Sequence, residues 1–253
     1  MKNKIILFLI LVLVGVAIFF GFKNINKISD SNALSIMVVS IFEKDQMFNI
    51  NAEYPQFKLA NDAFNKKIEE LINQKLSSFK ENASRNWEAL RSMPDSPFGE
   101  YPAPFYFEAV WKPIQTNKDY ISFVINLYSF EGGAHGNSEV FAFNYDLKNK
   151  KEVTFKDFIG NSQEKLNKIS KLVIADLEGQ ILITERDKDD EELKSMIREG
   201  ASPKFENYEN FSFYKNKLAI YFQKYQVAPG VFDIMEVKLY ENQLKQIGIP
   251  YFE

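Results

Sequence analysis

The sequence predicts an α+β fold behind an N-terminal transmembrane helix, with two antiparallel-sheet units each packed by one long helix. Three observations carry this. Residues 5–22 form an apolar run of eighteen residues without a charge. Two stretches, opening near Leu59 and Leu166, repeat apolar residues at three- and four-residue steps, the period of a helix with one buried face. Runs such as 105–115 alternate apolar and polar residues with period two, as half-buried strands do. An aromatic share of 15%, with 24 Phe and 12 Tyr, favours sheet.

Composition narrows the function. A chain of 253 residues can bury one large core or two small ones. A net charge of -3 supplies no basic field for nucleic acid, so no nucleic-acid partner is expected. The absence of cysteine removes disulfides, thiolate ligands and cysteine nucleophiles. With a single histidine, a zinc site would rest on carboxylates and water, an unusual donor set. No metal, cofactor or catalytic residue is therefore expected. Oligomeric state is not legible in the sequence.

Taken in order, the chain opens with Lys2 and Lys4 before the apolar run and Lys23 and Lys27 after it. The run would reach about 27 Å as a helix, enough to cross a bilayer core. The apolar core of a cleaved signal peptide is shorter, about 7–15 residues. The small residues Ser31 and Ala33 lie well past the run. A single-pass signal-anchor in the cell membrane is expected, held by residues 5–22, with a cytoplasmic N-terminus and an extracytoplasmic bulk. The expected division is residues 1–33 as stub, anchor and linker, 34–130 as a first α+β domain, and 131–253 as a second.

Strands are expected at 34–42 and 47–54, joined by a hairpin over 43–46 and stopped by Pro55. Between Leu59 and Leu90 the residues Phe64, Ile68, Leu71, Ile72, Leu76, Phe79, Ala83 and Trp87 make one apolar stripe, with Asn61 or Asp62 as cap. Residues 93–104 hold four prolines, so they form an extended loop, and Phe98 and Tyr101 could present an aromatic lip there. Strands at 105–115 and 119–130 follow, then 140–146 and 153–155. A second helix has the stripe Leu166, Ile169, Leu172, Val173, Leu177 and Ile181. The charged run 185–199 reads as a solvated helix. Strands at 211–214 and 218–222 form a hairpin, residues 223–230 a loop, and 234–239 a closing strand.

One stretch, Tyr128–Asn137, gathers what chemistry the sequence offers. It holds His135, the only histidine, and Gly132, Gly133 and Gly136. Imidazole is the usual general base near neutral pH, and Glu131 is the adjacent carboxylate. No G-x-S-x-G nucleophile motif occurs. The glycines do not have phosphate-loop spacing, and they join strands where a helix N-terminus would be needed. They are explained by a tight connection that requires positive φ.

The run Tyr128-x-x-x-Gly-Gly-Ala-His-Gly, then Phe143-Asn-Tyr-Asp-Leu147, Val153-Thr-Phe-Lys-Asp-Phe158 and Leu218-Ala-Ile-Tyr-Phe-Gln-Lys-Tyr-Gln-Val-Ala-Pro-Gly230, resembles an exported bacterial domain of uncharacterised activity. Residues from about 35 to 125, with Tyr54-Pro55 before a helix, resemble the domain that commonly precedes it. The tandem is that of RsiV-type, lysozyme-sensing anti-sigma factors and of PdaC-type peptidoglycan deacetylases, where it lies ahead of the catalytic domain. The resemblance implies a membrane-anchored extracytoplasmic binding module in the cell envelope, recognising peptidoglycan or a wall-active protein such as lysozyme. The chain is expected not to be an enzyme. Its binding surface is expected at Glu131, Gly133, His135, Asn137, Tyr225, Pro229, Phe98 and Tyr101, with the His135 ring turned toward the 225–230 loop. The alternative is a cell-wall hydrolase using His135 or a nearby carboxylate.

Overall fold

The computed structural model describes residues 23–27, 36–92 and 104–249. The larger of two sheets has seven strands in chain order: β1 (Lys23–Lys27), β2 (Ile36–Lys44), β3 (Phe48–Phe57), β4 (Phe105–Thr116), β5 (Tyr120–Phe130), β6 (Asn137–Asp146) and β7 (Lys151–Glu152). The smaller has the order β10–β9–β8, built from β8 (Phe211–Tyr214), β9 (Lys217–Phe222) and β10 (Met235–Tyr240).

The α+β class holds, with one correction to the sheet. β3 and β4 run parallel, from Phe48↔Phe105 to Ala52↔Ala109. The connection between them is the long helix α1 (Asp62–Arg91), and such a crossover is what parallel neighbours need, where a tight hairpin makes antiparallel ones. The larger sheet is therefore mixed. The Asn61 side chain accepts the Phe64 N–H at 2.9 Å and caps α1, a contact worth about 1 kcal/mol. Phe64, Ile68, Ile72, Phe79, Ala83 and Trp87 are buried by α1 against one face of the sheet, on Ile50, Phe107, Phe123 and Tyr145. Leu71 and Leu76 sit half-buried at the margin of that stripe.

Proline does not stop β3. The strand runs through Pro55 to Phe57, paired with β2. Phe57 N–H points away from β2 and donates to Asn65 Oδ1. The nitrogen of Pro55, two residues earlier, faces the same way, and the ladder to β4 has already ended at Ala52. A strand tolerates proline on such an open edge. Residues 23–27, expected as linker, instead pair with β2 from Lys23↔Ile41 to Lys27↔Met37. The expected membrane span at 5–22 lies outside the described residues; among those described, no helix is long and apolar enough to cross a membrane.

The expected division at 130/131 falls at the turn of the β5–β6 hairpin, whose ladder runs from Tyr120↔Asp146 to Ser129↔Asn137. β6 and β7 thus complete the first sheet, and the second unit follows them. Where a strand was expected at 153–155, the strand is Lys151–Glu152, followed by one further bond to β6 from Val153 N–H to Asn144 O at 2.9 Å. Thr154 then caps the one-turn helix α2 (Phe155–Phe158): its hydroxyl accepts the Asp157 N–H, and the Asp157 carboxylate accepts the Thr154 N–H. Hydrogen bonding from Thr154, with the Lys151 charge, holds the Asp157 carboxyl below its usual range.

Helix α3 (Gln163–Ile181) lays Leu166, Ile169, Val173, Leu177 and Ile181 into a second core with Phe211, Leu218, Ile220 and Val237. The charged run breaks into α4 (Glu185–Lys188) and α5 (Glu191–Gly200), and Leu193 and Ile197 anchor α5 in that core. Helix α6 (Glu241–Ile247) closes the unit. A third cluster, Val124 and Val140 against Ala219 and Tyr221, joins the two sheets.

Candidate functional site

Strand alternation divides the β4–β6 region cleanly. Ile121, Phe123, Ile125 and Leu127 point at α1, while Ser122, Val124, Asn126 and Tyr128 point to the other face. The second unit covers only half of that outer face. At the covered end, buried Ser122 donates to Asn144 Oδ1 at 2.7 Å, Asn144 Nδ2 donates to Phe211 O at 2.7 Å, and Phe213 N–H donates to Ser122 Oγ. Toward the other end the face is open. Tyr106, Val110 and Tyr128 are each more than two-fifths exposed there, beside exposed Asn126.

Two loops rim the open half. Gly132 and Gly133, at φ +96° and +99°, turn the chain from β5 into β6, which is the positive-φ role their residue type predicts. Asn86 of α1 donates to Glu131 O at 2.6 Å and fixes the loop from below. A Cβ on Gly136 would stand 2.3 Å from the Tyr128 hydroxyl, so the tyrosine ring lies directly against that backbone. From the second unit, Lys224 Nζ reaches Gly136 O at 3.4 Å and sits 5.6 Å from the centre of the Tyr225 ring. Ser138 donates to Asp233 at 3.1 Å.

The predicted residues Glu131, Gly133, His135 and Asn137 thus lie on, or at the end of, the loop that Lys224 joins, at Gly136, to the segment carrying Tyr225 and Pro229. Tyr225 is 59% exposed, at φ +69°, and its ring folds over Gly230, where a Cβ would meet Cζ at 2.4 Å. Phe98 and Tyr101 lie outside the described residues. The His135 ring is exposed, with Nδ1 3.1 Å from Gly136 O. The Gly136 carbonyl, through Lys224, joins the two loops.

Sequence reasoning missed the outer-face residues Tyr106, Asn126 and Tyr128. The available signal was aromatic residues at the polar positions of a two-residue alternation. It also missed where that face leads. Past Asn126 it runs into a cleft of about 380 Å³ between β4–β5 and β9–β10, with Lys112, Lys217 and Lys238 among its lining residues. Tyr221 in its wall shares a 2.8 Å hydrogen bond with Ser212, and burial pushes the phenol above its usual range, so it stays a neutral hydroxyl. Among the described residues, no group of three or more His, Cys, Asp or Glu could hold a metal ion.

Fold and site define a tandem of two α+β units with a groove of tyrosine, amide and lysine side chains, rimmed by loops from both. The chain carries the tandem its motifs resemble: residues 41–138 match the family described as Deacetylase PdaC, and residues 156–242 match the family described as Protein of unknown function (DUF3298). It is 24% identical over 224 residues to the peptidoglycan-N-acetylmuramic acid deacetylase PdaC of Bacillus subtilis (strain 168), covering 88% of this chain and 44% of that protein. The chain thus spans less than half the length of that relative. In fold it is similar to a DUF3298-family protein from Bacteroides fragilis NCTC 9343, with a TM-score of 0.57 at 18% identity, covering 87% of this chain and 98% of the other. A DUF3298-family protein from Pseudomonas aeruginosa PAO1 aligns with a TM-score of 0.50 at 16% identity, covering 91% and 96%.

These matches correct the expectation that the chain is not an enzyme. Its curated relative is a deacetylase and the first matched family is described as one, which points to an enzyme family.

Proposed function

We propose that this chain is an extracytoplasmic cell-envelope protein that engages the glycan strands of peptidoglycan on the open outer face of β4–β6, in the service of wall modification. The observation that carries this is the pairing of exposed Tyr106 and Tyr128 with exposed Asn126 on one rigid sheet face, in a chain similar to a peptidoglycan deacetylase. A sugar ring offers an apolar C–H face and a rim of hydroxyl and acetamido groups. Tyrosine rings supply a flat, amphipathic partner for the first, and amide side chains pair with the second. Mounting these groups on strands rather than on a mobile loop keeps the ordering cost of binding low.

The test is retention of the full chain, in detergent, by insoluble sacculi. The wild-type chain should sediment with them at micromolar concentration, and Tyr128→Ala should weaken retention about ten-fold, as loss of a central aromatic anchor does. Absence of wild-type retention overturns the reading, as does retention by immobilised lysozyme alone.

A second reading is favoured by one observation. A hydrogen bond from His135 Nδ1 to Gly136 O would leave Nε2 as a lone-pair base on an exposed ring. In that reading the imidazole takes a proton from the water that attacks a wall amide or glycosidic bond and passes it to the amine or alcohol that leaves as the bond breaks. Release of acetate or of reducing ends from sacculi, lost in His135→Gln with unchanged thermal stability, would establish it.

A further inference from the structure

The cleft at the covered end of the groove has a charge that its surroundings do not explain. Its lining holds three lysines, Lys112, Lys217 and Lys238, against one carboxylate, Glu236. That carboxylate is already committed, 2.7 Å from Lys238 Nζ. Lys112 and Lys217 have no ion-pair partner among the described residues. On its own strand, the carboxylate facing the same way as Lys112 is Glu108, four residues and about 14 Å away. The chain as a whole is acidic, at -3, so the local excess of positive charge is not a by-product of general basicity.

Strands of both sheets converge to make this pocket: β4, β5 and β6 from the larger, β8, β9 and β10 from the smaller. Lys112 stands on β4 directly before the register shift at Pro113/Gln115. Lys217 opens β9, and Tyr214 faces it across the β8–β9 turn, 43% exposed. The floor is Val124, Val140 and Ala219, and Asn126 belongs both to the cleft and to the open face. From Tyr128 to Val124, the cross-strand partner of Lys112, the face runs on the order of 14 Å. A short glycan segment could thus lie on the open face with a substituent reaching the lysines.

We propose that the Lys112–Lys217 end of the cleft is a carboxylate subsite, which takes the acidic substituent of a sugar lying on the β4–β6 face. This rests on the reading of that face as a peptidoglycan surface and adds the chemistry that would select among glycans. An N-acetylmuramic unit carries a lactyl carboxyl group, either free or linked to a peptide with carboxylates of its own. An N-acetylglucosamine unit is neutral. Two unpaired ammonium groups in a half-enclosed cleft favour the first, because a charge-assisted hydrogen bond there is screened less than on open surface. With Ser212 bonded to Tyr221 and Glu236 to Lys238, the Tyr214 phenol, the Asn126 amide and the Lys112 and Lys217 ammonium groups are the polar contacts left above the apolar floor.

The full chain in detergent is titrated with N-acetylmuramic acid, its neutral carboxamide and N-acetylmuramyl dipeptide, with binding followed by calorimetry. The acid, the dipeptide or both should bind at least ten-fold more tightly than the carboxamide, with the margin shrinking as salt rises. Acid alone assigns the subsite to the lactyl group, and dipeptide alone to the peptide. In Lys112→Gln/Lys217→Gln the margin should vanish with no change in thermal midpoint, and arginine at both positions should restore it. Equal binding of the acid, the dipeptide and the carboxamide, or a margin that survives in the double glutamine variant, overturns the proposal. Sacculus retention separates this from the wider reading. Wild-type retention without any carboxylate margin removes the subsite and leaves the glycan surface, whereas a margin without retention removes the glycan surface.

Discussion

At the scale of single residues, two glycines with equally crowded neighbourhoods should behave differently. A Cβ on Gly200 would stand 1.9 Å from the backbone oxygen of Gln226 and 2.9 Å from Val227, in a segment whose amide Gln226 also donates to Gly200 O. Backbone cannot swing aside, so Gly200→Ala should destabilise the fold by about 1–3 kcal/mol or more, read from the urea midpoint. On Gly136 the neighbour is the far end of the Tyr128 side chain. That ring can move, so Gly136→Ala should cost about 1 kcal/mol or less in the same assay while displacing the ring that the glycan surface depends on. Sacculus retention should therefore fall in Gly136→Ala and hold, below the melting transition, in Gly200→Ala. The reverse order would show that Tyr128 is no part of the surface. The sequence marked Gly136 as a special backbone position but could not say which side chain lay against it. That contact joins a β5 residue to the loop just before β6, and the β5–β6 register, Tyr128↔Ser138, is what places them together.

At the scale of elements, β6 poses a specific hazard. β5 covers one side of it, and β7 covers only its last residues, Tyr145 and Asp146. An open strand edge is a template for pairing with another chain. Here Gln223 stands in for a neighbouring strand: its Oε1 accepts the Val140 N–H and its Nε2 donates to Val140 O, while Asn210 Oδ1 accepts the Ala142 N–H. Gln223→Ala should cost about 1–3 kcal/mol for the two half-buried backbone groups left without partners. It should also raise the light scattering of concentrated samples, because the freed edge can pair between molecules. A variant that loses stability but stays monomeric at high concentration would show that the edge is protected by other means. The strands themselves were legible, since alternation at 105–115 and 119–130 and the stripe of α1 follow directly from burial on one face. Their partners were not. Periodicity says which way a side chain points and carries nothing about which strand lies alongside, so the parallel β3–β4 ladder and the continuation of the first sheet into β6 and β7 escaped it. The site divides in the same way. The loop 131–137 announced itself by its glycines and histidine, whereas Asn126 and Lys112 read as ordinary outward positions until a second unit was set beside them.

At the scale of the whole molecule, the two units share an interior. The outer half of the first sheet is shielded by β8 and β9, and its buried polar groups are satisfied across the boundary: Asn144 bridges Ser122 on β5 to Phe211 O on β8, and Phe213 N–H closes the set on Ser122. Removing the second unit would leave Asn144 Nδ2 without its acceptor Phe211 O and Ser122 Oγ without its donor Phe213 N–H, and expose Val124 and Val140, so neither the first sheet nor its neighbour is complete alone. Unfolding of the wild-type chain should then be one cooperative transition. The two tryptophans, Trp87 and Trp111, both lie in the first unit, so their fluorescence reports it alone, while far-ultraviolet circular dichroism reports both units. The two probes should give coincident urea midpoints. Asn144→Ala strands the Ser122 hydroxyl and the Phe211 carbonyl in a buried seam, at about 2–4 kcal/mol for the set. It should lower the midpoint and draw the two probes apart, because the loss falls on the seam while both cores keep their own contacts. Wild-type probes that separate would mean that the units fold independently, and Asn144→Ala probes that shift together would mean that the apolar cluster of Val124, Val140, Ala219 and Tyr221 couples them without the polar bridge. Since the cleft and the rim of the proposed glycan surface are both built across this seam, separation of the probes should be accompanied by loss of sacculus retention at denaturant concentrations where the tryptophans still report a folded first unit.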